Sequence, residues 1–359
     1  MSMKFIMIGC GWRAQYFLRA AEILSDRLEV SAIVMHSEKR AQEIQQETGI
    51  LTTTDFDLET ALDTKPEFAL LCVPRSVMKE WILRLCKLQI PVLCETPPGQ
   101  DIEELNNLWK EVQILHGKVQ VTEQYFLQPY YAAVQNVIDS GILGEISNVS
   151  MSAIHGYHAI SIFRKFLGIG MENCKISGKT YQFPVTKTRD RAGWHTSGEI
   201  LTGNRARIDI IFENGKAAFY DFDDEQYFSP IRSRSWVIQG ARGEVRGDQI
   251  CYMDHQNRPV SEQMHREDDG VYNIDGWSHR YISFRGERIY ENPFPGARIN
   301  DDEIAVTDLL AHMKQYVETG KEFYSLREGL QDAYLSFLMD EAVKNPGKEI
   351  ISTSQSWSV

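Results

Sequence analysis

The sequence lacks a surplus of basic residues. Its 50 Asp and Glu outnumber its 38 Lys and Arg, which gives a formal net charge of −12 over 359 residues. Proteins that bind nucleic acid or anionic membrane surfaces need cationic side chains to neutralise phosphates. No apolar run approaches the roughly 18 residues of a membrane span, and the first one is too short for a signal peptide. We therefore expect a cytoplasmic protein that binds small molecules, with no nucleic acid or membrane among its partners.

The cysteines also lack the spacing of a metal or disulfide framework. No two of them form a C-x-x-C pair, and they are scattered along the chain at Cys10, Cys72, Cys86, Cys94, Cys174 and Cys251. Such cysteines are typical of small buried side chains in a reducing compartment. His155 and His158 lie three residues apart, but no third ligand is evident, so we expect no metal.

What the sequence does contain is a glycine turn near its start. A short apolar strand at residues 4–8 runs into Gly9-Cys10-Gly11-Trp12-Arg13-Ala14, and apolar residues near helical spacing follow. Gly9 permits a tight exit from the strand, Gly11 leaves room for a phosphate, and Ala14 lets the helix pack closely on the sheet. With a strand before it and a helix after it, this turn predicts a dinucleotide-binding site.

Strands and helices alternate over the first third of the chain. Apolar strands are predicted at residues 28–35, 68–73, 91–94 and 119–122, and helices at 38–48, 78–88 and 102–115. Such alternation predicts a doubly wound parallel sheet, and we assign residues 1–124 to a Rossmann domain of the α/β class.

The pattern changes in the rest of the chain. Helices are predicted at 129–140, 158–168, 301–317 and 326–343, and a strand at 146–153. Alternating strands are predicted from 185 to about 290, among them 206–212 and 216–222, with a hairpin turn at Asn214-Gly215 between these two. Residues 125–359 therefore read as an α+β domain with a large, mostly antiparallel open sheet.

Several short motifs follow one another in a characteristic order along the chain. After the glycine turn come Cys72-Val73-Pro74, Glu95-Thr96-Pro97, Glu123-Gln124-Tyr125 with Pro129, Gly141 to Ile146, and Gly156-Tyr157-His158 before a helix ending at Leu167-Gly168. Over nearly the whole chain this order resembles the glucose-fructose oxidoreductase and inositol dehydrogenase (Gfo/Idh/MocA) family. The resemblance implies an NAD(P)-dependent oxidoreductase acting on a sugar, polyol or related cyclic hydroxy compound. It also implies a homodimer or homotetramer formed through the open C-terminal sheet, and C-terminal helices that can pack back on the first domain.

Two positions depart from the family pattern. Thr96 stands where the family usually has the lysine of a Glu-Lys-Pro motif, and Ile154 stands where an aspartate often precedes the histidine matched by His158. A threonine hydroxyl can orient a group but cannot replace lysine as an acid or base. Two alternatives to a dehydrogenase therefore stay open: glycoside cleavage through transient oxidation by tightly held NAD, and dinucleotide binding without catalysis.

The predicted cofactor site lies beyond the carboxyl ends of the parallel strands. No acid stands at the end of the second strand, where NAD sites place a carboxylate on the ribose, so both NAD and NADP stay open. The predicted cofactor-binding residues are Gly9, Gly11, Trp12, Arg13, Ala14, His36, Ser37, Cys72, Pro74, Glu95, Thr96 and Gln124.

His158 is the predicted proton-transfer residue, because imidazole, with an ordinary pKa of about 6.5, exchanges protons near neutral pH. Tyr125 is predicted to hydrogen-bond the substrate or His158, and Thr96 to orient a reacting group. A loop that combines two arginines with tryptophan and histidine suits a sugar or an anionic sugar derivative. The predicted substrate-binding residues are His155, Tyr157, Arg189, Arg191, Trp194 and His195.

Overall fold

The first domain is built on a parallel sheet of six short strands. The computed structural model describes residues 2–270 and 276–358. The strands are β1 (Met3–Ile8), β2 (Leu28–Met35), β3 (Thr52–Thr54), β4 (Phe68–Leu71), β5 (Val92–Cys94) and β6 (Val119–Val121). All neighbours are parallel, in the order β3-β2-β1-β4-β5-β6. The predicted Rossmann sheet is confirmed, and its order reverses between β1 and β4, the point at which doubly wound sheets bind ligands.

Five helices connect these strands: α1 (Ala14–Ile23), α2 (Glu38–Thr48), α3 (Leu58–Leu62), α4 (Arg75–Lys87) and α5 (Ile102–Ile114). The predicted bounds of α2 agree with the structure, because Ser37 caps its first turn and Gly49 ends it at φ 71°. Strand β3 and helix α3 escape the sequence analysis. Three consecutive threonines carry no apolar pattern, and α3 has only five residues.

The second domain contains a nine-stranded sheet in the order β16-β15-β14-β13-β7-β12-β11-β8-β20. Only β7 and β12 pair in parallel, so the prediction of a mostly antiparallel sheet is confirmed. Strands β9 and β10 form a small hairpin, and β17, β18 and β19 form a separate three-stranded sheet. The strands are β7 (Ile146–Ser152), β8 (Cys174–Thr186), β9 (Arg189–Asp190), β10 (Gly193–Trp194), β11 (Ile200–Phe212), β12 (Ala217–Asp223), β13 (Ser235–Gly240), β14 (Gly243–Arg246), β15 (Gln249–Met253), β16 (Pro259–Gln263), β17 (His265–Asp269), β18 (Ser278–Phe284), β19 (Glu287–Glu291) and β20 (Ile350–Ile351).

The second part of the chain also contains four helices: α6 (Pro129–Asp139), α7 (Gly156–Leu167), α8 (Asp301–Thr319) and α9 (Leu326–Lys344). Helix α8 packs along α1, and α9 packs against α5, α7 and β6. One apolar core joins Phe5 and Phe17 of the first domain with Leu310 and Met313 of α8. This shared core fixes the start of α8 beside the glycine turn. In the described part of the chain, no helix has the length and hydropathy to cross a bilayer.

Candidate active site

The glycine turn is tightly packed at Gly9 and open at Gly11. Gly9 has φ +85°, and a Cβ at this position would collide with the backbone carbonyl of Cys72 at the end of β4. A Cβ at Gly11 would instead meet nothing within 4 Å. Ala14 is fully buried where α1 meets the sheet. Gly9 therefore allows two strand ends to approach each other, whereas Gly11 keeps the space in front of the turn open for a ligand.

The other predicted cofactor residues line the same edge of the sheet. The N–H of Cys72 donates to the backbone carbonyl of Ile8 at 2.8 Å, and the N–H of Glu95 donates to the backbone carbonyl of Leu71 at 3.0 Å. Pro74 caps the start of α4. These bonds continue the strand register, so the residues that follow β1, β4 and β5 lie side by side at the switch point.

A partly buried cluster of charges lies at this edge of the sheet. Arg13 Nη1 lies 2.5 Å from Asp302 Oδ2 in the first turn of α8, and Arg13 Nε lies 3.6 Å from Glu95 Oε1. Asp302 also accepts hydrogen bonds from the side-chain amides of Gln124 (3.3 Å) and Gln128 (3.2 Å). Burial would lower the pKa of Arg13, but the two carboxylates raise it above its ordinary value. Arg13 is therefore a fixed positive charge already neutralised by its neighbours.

The adjacent strand end carries an acid–base pair. Glu123, fully buried just after β6, places Oε2 2.5 Å from Nδ1 of His158 in the first turn of α7. Burial, together with the nearby charge of Arg13, lowers the pKa of His158 to about 3. Burial raises the pKa of Glu123 to about 8, against the backbone N–H of Tyr125 that bonds its other oxygen. The histidine is thus neutral at pH 7, and it shares one proton with Glu123 through Nδ1.

Glu123 had no assigned role in the sequence analysis. The residue was visible as an acid after a buried strand, at the same edge as Gly9 and Glu95. Its burial and its pairing with a histidine 35 positions later follow from tertiary structure alone. Because Nδ1 is taken, Nε2 is the ring nitrogen of His158 that can meet a substrate hydroxyl.

Aromatic rings and a second histidine surround His158. The rings of Tyr125 and His155 lie 4.5 Å and 4.7 Å from it, centre to centre. The hydroxyl of Tyr227 lies 2.5 Å from Nδ1 of His155 and accepts the backbone N–H of His155 at 2.8 Å. Partial burial lowers the pKa of His155, so this ring is also neutral. Tyr227 comes from a turn after β12, and no sequence spacing pointed to it.

Three predicted residues make contacts outside this centre. Tyr157 is buried, and its hydroxyl donates to the carbonyl of Gly329 on α9 at 3.4 Å. The exposed His36 has its Nδ1 2.7 Å from Asp55 Oδ2 after β3. Ser37 caps α2 through its hydroxyl. Thr96 directly follows Glu95 at the edge of the sheet. Its N–H donates to the carboxylate of Glu95 at 3.3 Å.

The predicted sugar-binding loop forms the β9–β10 hairpin and meets the glycine turn. The guanidinium carbon of Arg191 lies 4.3 Å from the ring centre of Trp12. Arg189 stacks on Trp194 at 5.3 Å, and Nε2 of His195 lies 2.7 Å from Asp190. Among the described residues, no group of three or more His, Cys, Asp or Glu side chains is placed to hold a metal.

Known proteins share this architecture. Residues 3–123 match the oxidoreductase family with an NAD-binding Rossmann fold, Gfo/Idh/MocA. The resemblance drawn from the motifs is confirmed, and the nucleotide-binding domain of this chain is that of this oxidoreductase family.

Individual relatives extend the likeness beyond the first domain. The chain is 24% identical over 279 residues to the inositol 2-dehydrogenase of Rhizobium meliloti (strain 1021), covering 73% of this chain and 78% of that protein. An oxidoreductase from Agrobacterium radiobacter, solved with NAD+, L-tartaric acid and magnesium, is 15% identical, with 98% of each chain covered and a TM-score of 0.71. A myo-inositol dehydrogenase from Corynebacterium glutamicum ATCC 13032 is 12% identical, with 99% of this chain and 100% of that chain covered and a TM-score of 0.66. Both domains therefore share their fold with these proteins. The match of residues 3–123 to an NAD-binding oxidoreductase family makes the protein an oxidoreductase that uses a nicotinamide dinucleotide.

Proposed function

We propose that the protein is a dehydrogenase of a cyclic polyol or sugar, in which His158 accepts the hydroxyl proton and Glu123 supports it. The observation that carries this proposal is the 2.5 Å contact between Glu123 Oε2 and His158 Nδ1. The contact occupies Nδ1 and leaves Nε2, beside the rings of Tyr125 and His155, to accept a proton when Glu123 is ionised. The names of the relatives, an inositol 2-dehydrogenase and a myo-inositol dehydrogenase, support the substrate class.

The residues at the sheet edge fit a dinucleotide. The open space at Gly11 suits a pyrophosphate, and buried atoms without a hydrogen-bond partner, Glu95 Oε1 and Arg13 Nη2, lie at the same edge. When bound, the nicotinamide supplies the acceptor for the hydride that leaves the substrate carbon.

The pair can move a proton without separating charge in a buried site. A substrate hydroxyl donates its proton to Nε2 of His158, and the Nδ1 proton moves onto Glu123 Oε2. The product state is a neutral carboxyl beside a neutral imidazole, which burial favours, as the raised pKa of Glu123 indicates. In ketone reduction the same two protons move in reverse.

Activity measurements with purified protein test this proposal. We expect NADH to accumulate with one or more of a panel of inositols and aldoses, and His158→Asn to lower kcat by about 10²- to 10⁴-fold, the usual contribution of a general base. Cofactor binding should be unchanged in that variant, because Nε2 faces the substrate. His312→Asn is a matched control, since this histidine bonds only within α8. Glycoside cleavage without net NADH, or full activity of the His158 variant, would contradict the proposal.

We further propose that NAD is preferred to NADP. Asp55 follows β3, beside the end of β2, and its buried Oδ1 has no hydrogen-bond partner in the described structure. Its Oδ2 is paired with His36, but Oδ1 can accept from a ribose hydroxyl, and the carboxylate repels a 2′-phosphate. Arg40 is already paired with Glu43 at 2.7 Å and Glu47 at 3.8 Å. We expect NADH to bind at least tenfold more tightly than NADPH, and Asp55→Ala to narrow that ratio; equal affinities in the wild-type protein would contradict this preference.

The open face of the large sheet supports a homo-oligomer, which we propose to be a dimer or tetramer. Its outward side chains include apolar residues with 38–61% of their surface exposed: Tyr181, Ile211, Phe219 and Ile351. Contiguous exposed apolar surface marks interaction sites. Phe219→Asp combined with Ile211→Asp should yield a monomer in size-exclusion chromatography with light scattering. Phe56→Asp, at an exposed phenylalanine of the first domain, is the control. A monomeric wild-type protein in the same measurement would contradict this proposal.

The six cysteines support the proposed cytoplasmic location. All of them are free, and four are buried. Free thiols persist in a reducing compartment.

A further inference from the structure

The β9–β10 hairpin is held in shape by its own side chains. Asp190 accepts the backbone N–H of Ala192 at 2.8 Å and pairs with Nε2 of His195 at 2.7 Å. The hairpin connects β8 to β11, and Thr188 bonds Ser229 at 3.1 Å, which anchors it to the second domain. The tip is therefore a built turn that presents Arg191 in a defined place.

Arg191 lies on the part of the first domain that would receive phosphate. Its guanidinium carbon is 4.3 Å from the ring centre of Trp12, the residue between Gly11 and the start of α1. Among the described residues, no carboxylate lies within ion-pair distance of Arg191. A guanidinium that keeps its positive charge and donors unused suits bidentate binding of a phosphate.

The other arginine at the turn has its charge already balanced by carboxylates. Arg13 lies within the turn, but its charge is balanced by Asp302 at 2.5 Å and Glu95 at 3.6 Å. A pyrophosphate carries negative charge that the backbone N–H groups of the turn offset only in part. Arg191, from the second domain, is a cation without an ion pair in the described structure, and it contacts the turn through Trp12.

We propose that Arg191 binds the pyrophosphate of the dinucleotide from the second domain, with Trp12 as the surface that orients its guanidinium. This inference rests on the proposed cofactor site, and it moves Arg191 from the substrate to the cofactor. It also makes the cofactor a bridge between the two domains, since the turn belongs to the first and the hairpin to the second.

Binding of NADH and ADP to Arg191→Gln tests the inference without any need for turnover. ADP contains the pyrophosphate but lacks the nicotinamide. We expect the Kd of both ligands to rise by about 10- to 100-fold, the usual effect of losing a hydrogen bond to a charged group. Arg191→Lys should fall between, since lysine keeps the charge but not the fork. The difference in Kd between Arg191→Gln and the wild-type protein should become smaller as the salt concentration is raised.

Arg288→Gln is the matched control, because Arg288 stacks on Tyr281 at 4.4 Å in the three-stranded sheet. Thermal melting checks that each variant folds. Unchanged Kd values in Arg191→Gln would overturn the inference, and so would weaker binding of NADH with normal binding of ADP. A rise in substrate KM alone would also overturn it and return Arg191 to the substrate. If ADP binding weakens as expected while no polyol is oxidised, this inference stands and the proposed substrate class fails.

Discussion

Helix α7 carries two buried ionic contacts six residues apart, and they differ in what they leave free. At its C-terminal end, Arg164 Nη1 lies 2.7 Å from Asp332, and its other donors bond Glu328 and the carbonyl of Gly170. At its N-terminal end, His158 bonds Glu123 through one nitrogen only. Arg164 has every donor engaged, whereas His158 keeps Nε2 for another partner. A saturated pair can only hold structure, whereas a pair with a free atom can do chemistry.

The two pairs also differ in whether they can lose their charge. A guanidinium keeps its proton at any physiological pH. The raised pKa of Glu123 and the lowered pKa of His158 make both members neutral at modest cost. Breaking the first pair therefore strands a charge in the core, and breaking the second does not.

Breaking the saturated pair should give the largest loss of stability. We expect Asp332→Asn to lower the free energy of unfolding by about 3 kcal/mol, the lower end for a broken buried pair, because Glu328 still contacts Arg164. Denaturant unfolding measures the loss. Glu328→Gln is the control and should cost about 1 kcal/mol or less, since Glu328 is 41% exposed. A loss that is no larger for Asp332→Asn than for this control would remove the distinction between the pairs.

Removing the acid of the second pair should affect the rate more than the fold. We expect Glu123→Gln to lower kcat about 10- to 100-fold, because the amide cannot take the Nδ1 proton. The free energy of unfolding should change by about 1 kcal/mol or less, since no buried charge is left alone. Steady-state kinetics and denaturant unfolding on one preparation measure both. A variant that is badly destabilised yet turns over normally once folded would show that the pair is structural, like Arg164–Asp332.

The pH dependence of the rate sharpens the contrast further. With the pKa of Glu123 raised to about 8, the pair holds an extra proton below that pH and releases it above. Polyol oxidation needs the pair deprotonated, so kcat/KM should rise about tenfold per pH unit towards pH 8 and then level off. Ketone reduction needs the proton, so its kcat/KM should fall above pH 8. Flat profiles in both directions from pH 6 to 9 would contradict the assignment.

In the Glu123→Gln variant, the pH at which kcat/KM for oxidation levels off should be lower. The imidazole then titrates alone, and burial holds the pKa of His158 below its ordinary value. Oxidation by this variant should therefore vary little with pH above 7. An inflection that stays near pH 8 would show that another group controls the rate.

Local chemistry explains why much of the fold was predictable. Asn214-Gly215 predicts a hairpin because Gly215 adopts φ +83°, and the paired strands β11 and β12 flank it. Ser37 and Gly49 delimit α2 through bonds within a few residues. The start of β11 was set six residues late, at Ala206, because residues 200–205 are mostly polar or small and owe their strand to pairing with β8.

The residues of the candidate site also fall into those that the sequence indicated and those that it did not. His158 and Tyr125 were identifiable by residue type and by the motifs that contain them. In the structure the centres of their rings lie 4.5 Å apart. Glu123, Tyr227 and Asp302 were not identified, because their roles depend on partners 35 to 289 positions away. Arg191 was predicted to bind substrate, and its contact with Trp12 is what redirects that hypothesis.

The amino-acid sequence alone was enough to predict the glycine turn, the alternation of strands and helices in the first domain, and a histidine suited to proton transfer. Each of these depends on residues close in the chain, whose backbone conformation or spacing carries the signal. Tertiary structure alone decided which acid faces His158, which arginine is neutralised, and which one stays free beside the turn. Burial and charge pairing set those outcomes, and both depend on segments that meet only after the two domains pack together.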